Sequence, residues 1–297
     1  MRNLIRSLTP KFLLTIFRKY KKKSRNRKLL KDKAEGRVLT LERLESDFRN
    51  MGVQEGMSVL VHSSMKSVGY LENGPATIIE ALRKVIGPKG NILMPTSPNA
   101  SYQIDYIQAH PVFDVAHTPS AMGAISEYFR KLPGVLRSAH PLEPVAAQGP
   151  DAEFLTRGHL NLPTAYHKDS PFFKIYSLPS LILYIGVTLD NAGTNLHTLE
   201  DAVDFPYPVY ASDLYPCTIL LPDGSEIQTN VRAHNPEWSK KRKCDQLIPM
   251  FESEGVLRKA TLGEAPVLVA DAPRFFESMI RNFKEKSITM YTPYGIS

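Results

Sequence analysis

The chain has 297 residues, 42% of them apolar, which is enough for one large domain, alone or with a subdomain, and argues against a string of small modules. Its net charge of +7 is unevenly spread: residues 1–31 hold 12 Lys or Arg and no acid, leaving 25 basic against 30 acidic residues, a net of −5, in the rest. Two cysteines, Cys217 and Cys244, exclude a disulfide framework, offer no metal-ligand spacing and make the cytoplasm the default compartment.

In chain order, the leader comes first. Leu4, Ile5, Leu8, Phe12, Ile16 and Tyr20 recur at helical intervals ahead of the basic run Lys19–Lys28. That pattern suits an amphipathic interfacial helix with a polybasic extension on an anionic leaflet, at the inner face of the membrane; a solvated leader or a protein-docking arm fits it equally well. The apolar part is broken by Pro10 and Lys11 and is too short to span a bilayer, and no small-residue cleavage site follows. A nucleic-acid role is disfavoured, because aromatic residues do not interleave with the basic run. Residues 1–37 are therefore read as a leader and 38–297 as the folded domain.

Leu41, Leu44, Phe48 and Met51 mark a short amphipathic helix, and Met57–Val61 reads as the first core strand. The polar loop His62-Ser63-Ser64-Met-Lys-Ser67-Val-Gly69 follows, then a helix from about Pro75 through Val85. Asn91–Pro95 is a second strand. A long loop through Phe113-Asp114 and Thr118-Pro119 reaches Ser120, the expected cap of a helix over Met122–Leu132. Little periodicity is visible from Pro133 to Pro171. The apolar run Leu181–Gly186 is a buried strand that delivers the turn-rich segment Asp190–Asp201 to the rim of a sheet. There His197 and Glu200, three residues apart, share one face of a helical turn. Strands over Tyr215–Leu221 and Glu226–Val231 flank Pro222-Asp-Gly-Ser225 as a hairpin, either a small subdomain or an edge of the main sheet. Helices over about Asp245–Glu254 and Pro273–Phe283, the latter capped by Asp271, close the chain.

Taken singly, the chemical signals are weak. His62-Ser63-Ser64 at a strand end presents hydroxyls and backbone N–H groups suited to a phosphate, but an ordinary Ser-rich turn looks the same, and neither a Walker loop nor a dinucleotide fingerprint is present. Ser63 or Ser64 as a hydrolase nucleophile, with His197 as its base, lacks the Gly-x-Ser-x-Gly elbow. His117, His140, His159, His167 and His197 are scattered, so no metal is expected.

Together they form a collinear series. His62-Ser-Ser-Met-Lys-Ser-Val-Gly69, Met94-Pro-Thr96, Phe113-Asp114 with Thr118-Pro119 and Gly123, Pro133-Gly-Val-Leu-Arg-Ser-Ala-His-Pro141, Ala146-Ala-Gln-Gly149, Asp169-Ser-Pro171, Gly186-Val187 and Thr194-Asn-Leu-His-Thr-Leu-Glu200 occur in that order. Between about Leu41 and Leu268 the chain resembles the aminoglycoside 3-N-acetyltransferase family. The resemblance implies a three-layer α/β/α fold with a central mixed sheet, distinct from the GNAT acetyltransferases. It also implies transfer of acetyl from acetyl-CoA to an amine on a sugar ring, with a link to antibiotic resistance. The turn His62, Ser63, Ser64, Ser67 and Gly69, with Thr118, Ser120 and Gly123, would then hold the pantetheine and phosphates of the coenzyme. Arg137 would add charge there, or form a rim salt bridge.

An amino-sugar nitrogen is largely protonated near neutrality and has no lone pair for attack on a thioester, so the chemistry needs a base; His197 suits the task. Glu200 would orient its ring, and Thr194 or a backbone N–H would bear charge developing on the thioester oxygen. Asp201 and Asp204 would attract a cationic acceptor, though surface helix carboxylates are ordinary. His140 is a second candidate for the acceptor site, with loop bracing the favoured role. The sequence departs from the family pattern in the acidic, aromatic stretch Glu200–Pro208 and in the basic leader, and both point to an amino sugar of surface-glycan assembly ahead of a free aminoglycoside. A catalytically silent membrane-associated scaffold and a serine hydrolase are the competing functions.

Overall fold

A computed structural model describes residues 20, 23, 24, 27, 30–99 and 101–296 of the chain. The expected interfacial helix of the leader therefore lies largely outside the described residues. Among the described residues no helix is long and apolar enough to cross a membrane.

Among the described residues, ten strands form two sheets. The larger has the order β4 (Leu136–Arg137), β5 (Val145–Gln148), β2 (Asn91–Pro95), β1 (Ser58–Ser63), β6 (Ser180–Ile185), β10 (Ala265–Asp271) and β9 (Leu257–Leu262). Its centre is parallel, β1 running with β2 and β6, and its flanks are antiparallel, which makes it the expected mixed sheet. The smaller sheet is β3 (Val112–Asp114), β7 (Tyr210–Leu220) and β8 (Glu226–His234). The β7–β8 pair is the expected hairpin, set in a separate sheet, and β3 pairs with it in parallel.

Alternation along the strands builds the layers. Val59, Val61, Ile92, Met94, Leu183 and Ile185 point to one face and pack with Leu44 and Phe48 of helix α1 (Leu41–Asn50) and with Ile78, Ile79 and Leu82 of α2 (Pro75–Ile86). Leu60, Leu93, Ile182, Tyr184, Leu268 and Ala270 point to the other, against Phe251 and the Phe275 and Met279 stripe of the C-terminal helix Ala272–Lys286. Each face buries side chains worth about 1.5–3 kcal/mol apiece, so the sheet stands between two cores.

Three local expectations change. The helix expected from Met122 spans Ala124–Phe129 and is capped by Gly123, because Ser120 turns its oxygen to the Met122 N–H at 3.1 Å, before the helix begins. The helix Gln103–Ala109, inside the long loop, and the β9–β10 hairpin, between the last two helices, were not expected. Asp271 does cap the C-terminal helix, accepting from the Arg274 N–H at 3.2 Å.

Candidate active site

Parallel pairing of β1 and β6 brings Ser63 opposite Ile185, so the loops leaving both strands emerge side by side at the carboxyl end of the sheet. The Ser64 N–H donates to the Ile185 carbonyl at 2.8 Å. Gly186, at φ +65°, allows the closest approach: a Cβ there would lie 2.5 Å from the Cβ of Ser67. The chain then forms a 3₁₀ turn over Thr194–His197 that runs into the helical turn Thr198–Ala202, in place of one uniform helix.

Buried Asn195 fixes this turn from beneath, donating to the Phe172 carbonyl at 3.2 Å and the Tyr176 hydroxyl at 3.1 Å. The Thr198 hydroxyl donates to the Asn195 carbonyl at 2.7 Å. His62 stacks on Tyr184, with ring centroids 5.0 Å apart, and brings Nε2 to 3.5 Å from Asn195 Oδ1. Burial pushes the His62 ring down to about 4, so it is a neutral brace for the turn.

His197 and Glu200 meet as the spacing predicts, with Nδ1 3.0 Å from Oε1. Two further donors converge on the same carboxylate. His234, at the end of β8, places Nε2 2.9 Å from Oε2, and the Tyr291 hydroxyl donates to Oε1 at 2.6 Å. Tyr166 stacks on the His197 ring at 4.8 Å and Tyr210 on His234 at 4.7 Å. All three members of the His197–Glu200–His234 set are buried. Desolvation dominates both histidines and holds them below the ordinary imidazole range, with Glu200 pulling the other way. Burial opposes ionisation of Glu200, but the two rings outweigh it and hold the carboxyl below its usual range. The result is an ionised carboxylate between two neutral rings, in which a proton on His197 Nδ1 leaves the Nε2 lone pair available.

The ligand atoms of His197, Glu200 and His234 lie within 4.8 Å of one another, the grouping among the described residues that could hold a metal ion. The contacts of 2.9 and 3.0 Å that Glu200 makes with the two rings are direct hydrogen bonds.

A cleft of about 710 Å³ opens over this set. His197, His234 and Tyr166 form part of its wall, with Thr194, Glu143, Asp105, Asp190 and Arg242. Glu143 is raised to about 7 by burial, which outweighs the Gln103 amide donating to it at 3.0 Å and the nearby Arg242. Nε and Nη2 of Arg242 are buried without a hydrogen-bond partner among the described residues.

Thr194 and His197 are thus the expected residues that face the cleft. His62, Ser63, Ser64, Ser67 and Gly69 do not line it, nor do Thr118, Ser120 and Gly123, although Met122 does. Gly123 adjoins the serine turn: a Cβ on it would sit 3.7 Å from the Ser63 carbonyl oxygen. The Thr118 hydroxyl accepts from the Asp114 N–H at 2.9 Å, and Arg137 spends its guanidinium on Thr96 and on the Val115 and Thr118 carbonyls. Arg137 is therefore a loop staple. Asp201 faces inward to the Thr164 hydroxyl and Asp204 is exposed away from the cleft, so the acidic lining comes from other elements. His140 is buried against His159, its Nδ1 accepting from the Leu142 and Glu143 N–H groups, which makes it a loop brace rather than an acceptor contact.

The model of the family described as aminoglycoside 3-N-acetyltransferase matches residues 60–284. The chain belongs to this family. A curated relative, aminoglycoside N(3)-acetyltransferase IV from Salmonella sp, is 39% identical over 183 residues, covering 61% of this chain and 64% of that protein. The chain thus matches somewhat less than two thirds of that relative's length. Among solved structures, AAC-VIa bound to sisomicin shares 26% identity with a TM-score of 0.69 over 82% of this chain and 97% of its own. AAC-IIIb, a binary complex with CoASH, shares the fold at 24% identity and a TM-score of 0.71, over 84% and 97% of the two chains.

Within this family frame, the residues that sequence reasoning missed are His234, Tyr291, Arg242, Glu143 and Tyr166. All come from segments distant in sequence from His197, and contact across the two sheets and the C-terminal segment is what assembles them.

Proposed function

We propose that the protein is an acetyl-CoA-dependent N-acetyltransferase acting on an amine of an amino sugar. The observation that carries this reading is the buried, neutral His197, held through Nδ1 by Glu200 and set in the wall of a cleft lined by the segments that follow β2 and β6. In direct transfer the acceptor ammonium first gives up one proton to solvent; its nitrogen lone pair then bonds to the thioester carbon, and His197 Nε2 takes a second proton from that nitrogen. The C–S bond then breaks and its electrons leave on sulfur, which takes the proton back from the imidazolium to give the free thiol. Glu200 stabilises the transient imidazolium, and Thr194 donates toward the thioester oxygen.

Acetyl-CoA as co-substrate is supported by the CoASH complex of a protein with the same fold. In this chain the serine turn from Ser63 to Gly69, next to Gly123 at the start of Ala124–Phe129, is the candidate for its pantetheine and phosphates; Thr118 and Ser120 would shape the neighbouring loop. A polycationic acceptor is supported by sisomicin bound to a relative and by three carboxylates, Asp105, Glu143 and Asp190, in the wall of the cleft. The basic leader, residues 1–31, would hold the enzyme near an anionic membrane surface, where a surface-glycan precursor is at hand.

Thiol release from acetyl-CoA with sisomicin and with simple amino sugars, for wild type and His197→Ala, tests the assignment. A transferase needs both an acceptor and His197. Release without any amine would mark a hydrolase, and no release with any acceptor would mark a silent scaffold.

A further inference from the structure

The segment Ser287–Ile296 lies beyond the C-terminal helix and beyond residue 284, where the family match ends. It nevertheless reaches the reacting centre. The Lys243 N–H donates to the Met290 carbonyl at 2.8 Å, which ties the segment to the stretch that carries Arg242. Tyr291 is buried, its ring edge-on to Trp238 at 5.5 Å and to Phe205 at 6.1 Å. Its hydroxyl donates to Glu200 Oε1, the same oxygen that His197 Nδ1 faces, and its bond of 2.6 Å is shorter than the 3.0 Å of the imidazole. Arg242 interacts with both the Tyr291 hydroxyl and the Glu200 carboxylate, and it shares the wall of the cleft with His197.

We propose that Tyr291 is a positioning residue that orients the Glu200 carboxylate and, together with Arg242, draws charge away from the oxygen facing His197. The inference rests on the reading of His197 as the base. A buried carboxylate beside two neutral rings needs a compensating charge, and Arg242 supplies it. A second donor on Oε1 weakens the attraction of that oxygen for an imidazolium. His197 is thereby kept a weak base, and its conjugate acid a stronger one. That serves a reaction in which the proton taken from the amine must be returned to the departing thiolate. The other groups facing Glu200 are His234 from β8, Tyr166 from its loop, Tyr210 from β7 and neighbouring Asp201. Of these, His234 bonds to Oε2 and none is a cation at neutral pH, which leaves Arg242 as the balancing charge among the described groups.

The test is the pH profile of kcat/KM for acetyl transfer to sisomicin, measured for wild type, Tyr291→Phe and Arg242→Gln, with His197→Ala as control and a thermal melt for folding. Loss of the donor strengthens the pull of Glu200 on the imidazolium, so the acid limb of Tyr291→Phe should move to higher pH by about one unit. Arg242→Gln should move it in the same direction, which keeps the test open should the Phe protein fail to fold. A residue that only packs would lower the melting temperature and leave the limb in place. An unmoved or downward-shifted limb in the folded variants overturns the proposal. Undiminished transfer by His197→Ala would instead overturn the reading of the base.

Discussion

Replacing Glu200 with Gln keeps the volume of the side chain and removes its charge, and the geometry sets the consequence. Glu200 accepts from three groups, His197 Nδ1 at 3.0 Å, His234 Nε2 at 2.9 Å and the Tyr291 hydroxyl at 2.6 Å. An amide offers one oxygen and one NH₂, so one side of it must donate toward groups that themselves donate. If the NH₂ faces His197, the ring must carry its proton on Nε2, and the lone pair is lost from the cleft. If it faces His234, that ring changes tautomer instead and His197 keeps its orientation without an anion to stabilise its charged form. Even in the milder case the lost bond to a charged partner is worth about 1.5–3 kcal/mol, which lowers kcat about 10- to 150-fold with little change in KM. Steady-state thiol release with sisomicin at neutral pH measures both constants. Wild-type kcat in a folded Glu200→Gln protein would refute the reasoning.

The cleft carboxylate and the leader give further expectations. Glu143, raised to about 7 from an ordinary value near 4.5, favours the fold only while protonated. Its contribution is complete below about pH 4.5 and is lost as pH rises through 7, so Glu143→Gln should melt higher than wild type at pH 8, by up to about 3 kcal/mol, and alike at pH 4. The same variant should raise KM for sisomicin, since one carboxylate leaves the wall of the cleft; equal KM values would remove Glu143 from acceptor binding. Vesicles containing anionic lipid should retain the chain better than a version lacking residues 1–31, and more weakly at high salt. Equal retention of the two would end the membrane assignment of the leader.

The sequence carried the site where chemistry and spacing coincide locally. His197 and Glu200 sit on one turn, so an i, i+3 pattern was enough to join them, and the uniformly apolar Leu181–Ile185 announced the buried strand that delivers the turn. A central sheet in a mixed α and β chain was legible in the same way, whereas its three-layer arrangement came from the family resemblance. His234 and Tyr291 were not, because nothing near them in sequence marks them. His234 ends a strand of the second sheet, and Tyr291 follows a helix whose stripe reads as ordinary core. The β9–β10 hairpin escaped because Arg258, Lys259 and Thr261 face outward on an edge strand, which hides its apolar half. His140 and Asp201 are polar residues whose types suit a site, yet backbone N–H groups hold His140 through Nδ1 and the Thr164 hydroxyl holds Asp201 inside the fold. Residue type alone could not separate such braces from ligands.

The central claim is that His197 is uncharged at neutral pH, with its proton on Nδ1 toward Glu200 and its Nε2 lone pair open. Ring-nitrogen NMR of the protein labelled with ¹⁵N-histidine, assigned by comparison with His197→Ala, reads that state directly. The account predicts one protonated Nδ1 and one bare Nε2 for His197 near pH 7. An imidazolium, or a ring protonated only on Nε2, would contradict it.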